Sequence, residues 1–158
     1  MSEIAELENQ ASELELARFD HGDAWELGSS IRDAALRAGL GVAIDIRRAS
    51  GAVLFRAALP GVTADNEDWI DRKSALAFRF EESSALVAAR MAALGVPAGS
   101  SGWLDPARYV FAGGAVPIKV AGAGVVAVVT VSGASSAEDH SLVVEGIRAL
   151  KLRASPLT

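Results

Sequence analysis

Two pairs of β-rich segments, each joined by a connection too short to carry a crossover, set the strongest limit on what this chain can fold into. Val42-Ala43-Ile44-Asp45-Ile46 and Val53-Leu54-Phe55-Arg56-Ala57 are joined through Arg48-Ala49-Ser50-Gly51, and Val116–Val120 and Val125–Val131 through Ala121-Gly122-Ala123-Gly124. Glycine-bearing links of this length make hairpins, whose strands are antiparallel, whereas parallel neighbours need a crossover of a dozen residues or more. A doubly wound parallel sheet is therefore excluded. The remaining solution is α+β: an antiparallel sheet with helices packed on it.

The helices are read from periodicity and caps. Ile4, Leu7, Ala11 and Leu14 recur at helical spacing in an acidic opening segment, residues 1–15, with five glutamates and no Lys or Arg. A short strand is expected from Leu14 toward Phe19. Asp20 or Asp23 caps a second helix whose apolar face runs Ala24, Leu27, Ile31, Ala34, Ala35 and Ala38, with Gly39 at its C-terminal cap. Asp65 and Asp68 resemble a capping box opening a third helix that reaches about Phe80, and a fourth runs from Ser83 or Ser84 to Leu94. Gly95 to Arg108 is the longest loop, a candidate flap over a pocket. Tyr109–Phe111 reads as a further strand, giving about five in all, and Ser136 with Asp139 opens a final helix bearing Val143, Val144, Ile147 and Leu150.

At 158 residues, 51% of them apolar and 22% charged, the chain fits a single domain over residues 1–158 with enough apolar surface for a core and for self-association. It has no cysteine, which removes disulfides, zinc ribbons and thiol nucleophiles and points to the cytoplasm. A net charge of −5 argues against nucleic acid as a partner. The longest apolar run, Val125–Val131, falls well short of the ~20 residues of a membrane span.

Several side chains could carry chemistry. On the third helix Asn66, Trp69 and Lys73 fall on one side with Arg72 beside them, either as a pocket wall for an anionic or planar ligand or as an ordinary boundary where lysine covers apolar surface. Asp139-His140 opens the last helix, where the positive helix end favours a neutral imidazole that accepts a hydrogen bond or binds a metal; a structural role is the alternative. Gly113-Gly114 ahead of Pro117-Ile118 forms a bulge or lets a ligand approach the backbone. Gly122-Ala123-Gly124 joins two strands and so fails as a dinucleotide loop, and no Gly-x-Ser-x-Gly elbow supports Ser132 as a nucleophile.

With Leu27-Gly28, Asp65-Asn66, Trp69, Arg72-Lys73, Gly113-Gly114, Pro117-Ile118, Ser132-Gly133 and Asp139-His140 together, the sequence from about Leu16 to Leu152 resembles the GlcG/HbpS-like proteins. That family also occurs as the C-terminal domain of PduO-type adenosyltransferases and is commonly described as haem-degrading; the chain looks most like a branch of it without an assigned function. The resemblance implies a profilin-like fold, a homo-oligomer and haem or another tetrapyrrole as a ligand class.

The reading that follows is a cytoplasmic, oligomeric small-ligand-binding protein whose pocket draws on Asn66, Trp69, Arg72, Lys73, Gly113, Gly114, Pro117, Asp139 and His140. Two alternatives use the same sequence differently. In one, Asp139 orients His140 as a general acid or base while Lys73 stabilises negative charge. In the other, the chain is a scaffold with no pocket ligand.

Overall fold

The computed structural model describes residues 2–97 and 103–154, and five helices and four strands alternate along them. Helix α1 (Glu3–Glu13) and helix α2 (His21–Arg37) precede the hairpin of β1 (Ala43–Arg47) and β2 (Val53–Ala58). Helices α3 (Ala64–Phe80) and α4 (Ser84–Ala93) follow, then the hairpin of β3 (Ala115–Val120) and β4 (Gly124–Ser132), and finally α5 (Ser136–Ala154). The order across the sheet is β2-β1-β4-β3 and every ladder is antiparallel. The two hairpins thus meet along β1 and β4, which pair from Ala43 with Ser132 to Arg47 with Val128.

Both faces of the sheet are covered, so β4 reads as one continuous apolar run. Its Ala127, Val129 and Val131 face the main core, against Leu27 and Ile31 of α2 and Val143 and Ile147 of α5. Val128 and Thr130 face the opposite way, toward Ala77 and Ser74 of α3. Helix α2 lies close on β2 because Gly28 has no side chain: a Cβ there would stand 2.3 Å from the Phe55 ring. No helix among the described residues is long and apolar enough to cross a membrane.

The sheet has four strands where about five were expected. The segment near Leu16 is reduced to a single parallel bridge with Val120, made by the Leu16 N–H to the Lys119 carbonyl at 2.9 Å and the Ala121 N–H back to Leu16 at 2.9 Å. Tyr109 and Phe111 enter no ladder; their rings pack on Leu76, Val87 and Leu104 in a satellite core. Alternation of large side chains was read as a strand there, and side-chain burial without backbone pairing produced the same pattern. The expected flap falls partly on residues 98–102, outside the described residues.

The caps also move by a residue or two. Asp20 and Asp23 form the reciprocal box of α2, each carboxylate accepting from the other's backbone N–H at 2.8 and 2.9 Å. At α3 the cap is Thr63 with Asn66, whose side-chain oxygen accepts from the Thr63 N–H at 3.0 Å, and not Asp65 with Asp68. At α5 the box is Ser135 with Glu138, so Asp139 is released for another task.

Candidate functional site

That task is to bind a buried cation. Ile70, Lys73, Ser74 and Ala77 share the face of α3 that packs on the sheet, so Lys73 occupies a position where an apolar residue would be ordinary. Its ammonium donates to the Asp139 carboxylate at 3.0 Å and to the Val131 carbonyl at 3.1 Å. The second Asp139 oxygen accepts from the Ala134 N–H at 3.0 Å. The two side chains are 3% and 2% exposed, and the pair ties α3, the end of β4 and the start of α5 together. Burial pulls the Lys73 pKa down and pushes that of Asp139 up, and each partner's charge opposes the other's shift.

Gly114 lies against this pair. With φ at +133° and room for no Cβ, it lets the approach to β3 run directly along Val131, Lys73 and Asp139. Gly113 sits next to it against α4 and α5, where a Cβ would meet the Ser136 carbonyl at 3.0 Å and the Ala85 Cβ at 3.3 Å.

His140 points elsewhere. Its Nε2 lies 2.7 Å from the Gln10 side-chain oxygen on α1, so Nε2 carries the proton and donates. The other nitrogen, Nδ1, is buried and has no hydrogen-bond partner. Burial, with the Arg148 cation adding to it, holds the imidazole below its ordinary range. The unfolded chain therefore takes up a proton near pH 6.5 that the folded chain refuses, and stability falls as the pH drops below that point. Urea unfolding between pH 7.5 and 5.5 is expected to show that decline, and His140→Gln to flatten it; an unchanged slope in the variant would place the titrating group elsewhere.

Beside His140 runs an open groove of about 560 Å³ between α1, α4 and the start of α5. Its wall is apolar: Leu7, the alanine stripe Ala85, Ala88, Ala89 and Ala92 of α4, and Phe111, with Gly113 and His140 at one end. Glu3 is the only acidic or basic side chain besides His140 among the described residues lining it.

Of the expected residues, Gly113 and His140 line the groove, while Lys73, Gly114 and Asp139 meet next to them in the buried ion pair, and the others stand apart from both. Asn66 serves the α3 cap. Trp69 donates to Asp65 at 3.2 Å, Arg72 stacks over the Trp69 ring at 4.6 Å and pairs with Asp68 at 2.9 Å, so this stripe satisfies itself along one helix. Pro117 is buried on β3 and lines a small cleft that includes Gln10. Among the described residues no three His, Asp or Glu side chains are grouped to hold a metal ion. Sequence reasoning missed Gln10, for which there was no signal, and the α4 alanine stripe, whose i, i+3, i+4, i+7 spacing was legible.

A family model described as "Haem degrading protein HbpS-like" matches residues 19–148. A UPF0303 protein of Streptomyces avermitilis is 48% identical over 150 residues, covering 95% of this chain and 91% of its own. The crystal structure of the Ybr137w protein superposes with a TM-score of 0.87 at 30% identity over 99% of this chain and 91% of that one. The crystal structure of a PduOC:heme complex shares the fold, with a TM-score of 0.68 at 16% identity over 83% of this chain and 94% of that one.

Proposed function

We propose a function from one established premise: this chain belongs to the HbpS-like family, whose model covers residues 19–148. Our reading is a small-ligand-binding protein that takes a flat, largely apolar ligand of the tetrapyrrole class, haem included, in the groove beside His140. One observation carries it: His140, whose buried Nδ1 has a free lone pair and no partner, lines one end of the apolar groove. An orphaned buried polar atom calls for an unseen ligand, ion or water.

The residues fit such a group. The volume is within the 300–1,000 Å³ typical of ligand pockets, the alanine stripe of α4 offers an apolar surface of small side chains, and His140, held neutral by burial, retains a lone pair that could bind a metal centre. Haem, when bound, would supply an iron centre; His140 would hold it and Gln10 would fix the imidazole's tautomer. Because Glu3 is the only other ionisable group on the lining, carboxylates of the ligand would face water. Lys73, Asp139 and Gly114 act beneath the site as positioning residues. The general acid–base alternative has less support, since Asp139 is engaged by Lys73 and Ala134 while His140 faces Gln10. We further read the layers as profilin-like and the protein as a cytoplasmic homo-oligomer; the exposed Trp25, Leu36, Leu94 and Leu152 support the self-association.

Hemin titration followed by absorption tests the reading. A saturable Soret band is expected, weakened at least about tenfold, or ~1.4 kcal/mol, in His140→Ala. Identical titrations of the native protein and a folded His140→Ala variant would sink it, as would the absence of saturation.

A further inference from the structure

A second concavity lies on the α3 side of the sheet, and none of the groove's residues belongs to it. It holds about 370 Å³ and is lined by Arg47, Arg48, Arg79 and Arg108 with Asp71 as the one carboxylate, a local excess of three positive charges on a chain whose net charge is −5.

The four arginines are held in different ways. Arg47 is engaged by Asp45 at 2.6 Å and Asp71 at 3.0 Å. The other three have no carboxylate within ion-pair distance among the described residues, whereas Arg32, Arg56, Arg72, Arg90 and Arg148 each do. They are oriented instead by neutral partners. Arg48 donates to His21 Nε2 at 3.0 Å. Arg79 donates to the Tyr109 hydroxyl at 3.2 Å and lies over the Trp103 ring at 5.1 Å, and Arg108 stacks on Tyr109 at 5.2 Å. Ring stacking holds a guanidinium in place without neutralising it, so these donors are preoriented and their charge is unspent.

Like charges gathered around a hollow repel one another, and an oxyanion seated among them relieves that repulsion while accepting charge-assisted hydrogen bonds. An excess of three charges suits a phosphate monoester, at −1.5 to −2 near neutral pH, better than a single carboxylate. Phe78 and Tyr109 add half-buried ring surface to the same lining. We propose that the concavity bounded by Arg47, Arg48, Arg79 and Arg108 binds a small aryl phosphate, the phosphate among the guanidiniums and the ring against Phe78.

Calorimetric titration of the full chain with phenyl phosphate tests this. Saturable binding is expected, weakened at least about tenfold by Arg79→Gln and by Arg108→Gln, which break no ion pair, and unchanged by Arg153→Gln, which removes the same charge elsewhere. Absence of saturable binding, or an equal loss in Arg153→Gln, overturns the site. Inorganic phosphate binding as tightly as phenyl phosphate overturns the role of the ring, and a phosphotyrosine peptide binding more tightly than phenyl phosphate overturns the small-molecule assignment. None of these outcomes bears on hemin binding at His140.

Discussion

Asp139→Ala is expected to lower the free energy of unfolding by about 3–5 kcal/mol, measured by urea denaturation at neutral pH. The variant leaves the Lys73 ammonium, 3% exposed, with the Val131 carbonyl as its remaining partner, and it also strips the Ala134 N–H of its acceptor. Lys73→Met makes the complementary error and leaves a buried carboxylate. Removing both charges together, as Lys73→Met with Asp139→Leu, is expected to recover most of the loss, because a buried pair is costly to break and often close to neutral to replace by apolar side chains of similar volume. Lys73→Met carries a pH signature as well. Burial already pushes the Asp139 pKa up, and loss of the cation pushes it further, so in that variant the Asp139 contribution to stability is greatest in acid and is lost as the pH rises through the carboxyl's folded-state pKa. A loss below about 1 kcal/mol in Asp139→Ala would mean that water reaches the pair.

The same pair shows how far the sequence alone could be read. The helix that carries Lys73 was legible but its buried face was not: the sequence aligns Lys73 with Asn66 and Trp69, whereas Lys73 is buried on the face it shares with Ile70, Ser74 and Ala77. Nor was its partner, because Asp139 lies 66 residues away and its approach depends on the packing of α3 and α5 about β4. The hairpins, the α2 cap and the final helix followed from local chemistry. The edge of the sheet did not, because whether Tyr109 and Phe111 pair their backbones or only bury their rings is decided by what already lies beside them. For Trp69 and Arg72 the sequence left a pocket wall and an ordinary helix boundary both open, because ring, guanidinium and carboxylates three or four residues apart on a helix satisfy one another without a ligand. Gln10 contacts His140 across 130 residues, and nothing in an acidic helix distinguished it beforehand.

Gly114→Ala is expected to cost about 4 kcal/mol, for two reasons that add. The backbone there has φ at +133°, a conformation that L side chains rarely adopt and that costs about 1–3 kcal/mol to impose. The new Cβ would also stand 2.5 Å from the Val131 carbonyl oxygen and 2.8 Å from the Lys73 ammonium. Neither neighbour can yield cheaply: Val131 donates its N–H to the Gly114 carbonyl at 2.9 Å, and Lys73 is held by Asp139. Overpacking of this kind adds about 1–3 kcal/mol. Gly39→Ala provides the comparison, since Gly39 also has a positive φ, at 69°, but no atom lies within 4 Å of its added Cβ. It should lose only the backbone part, about 1 kcal/mol. At roughly 2–4 °C per kcal/mol for a chain of this size, thermal unfolding resolves the difference. Equal losses in the two variants would mean that the segment over the ion pair shifts freely, and that Gly114 serves chain geometry without holding Lys73 and Asp139 in place.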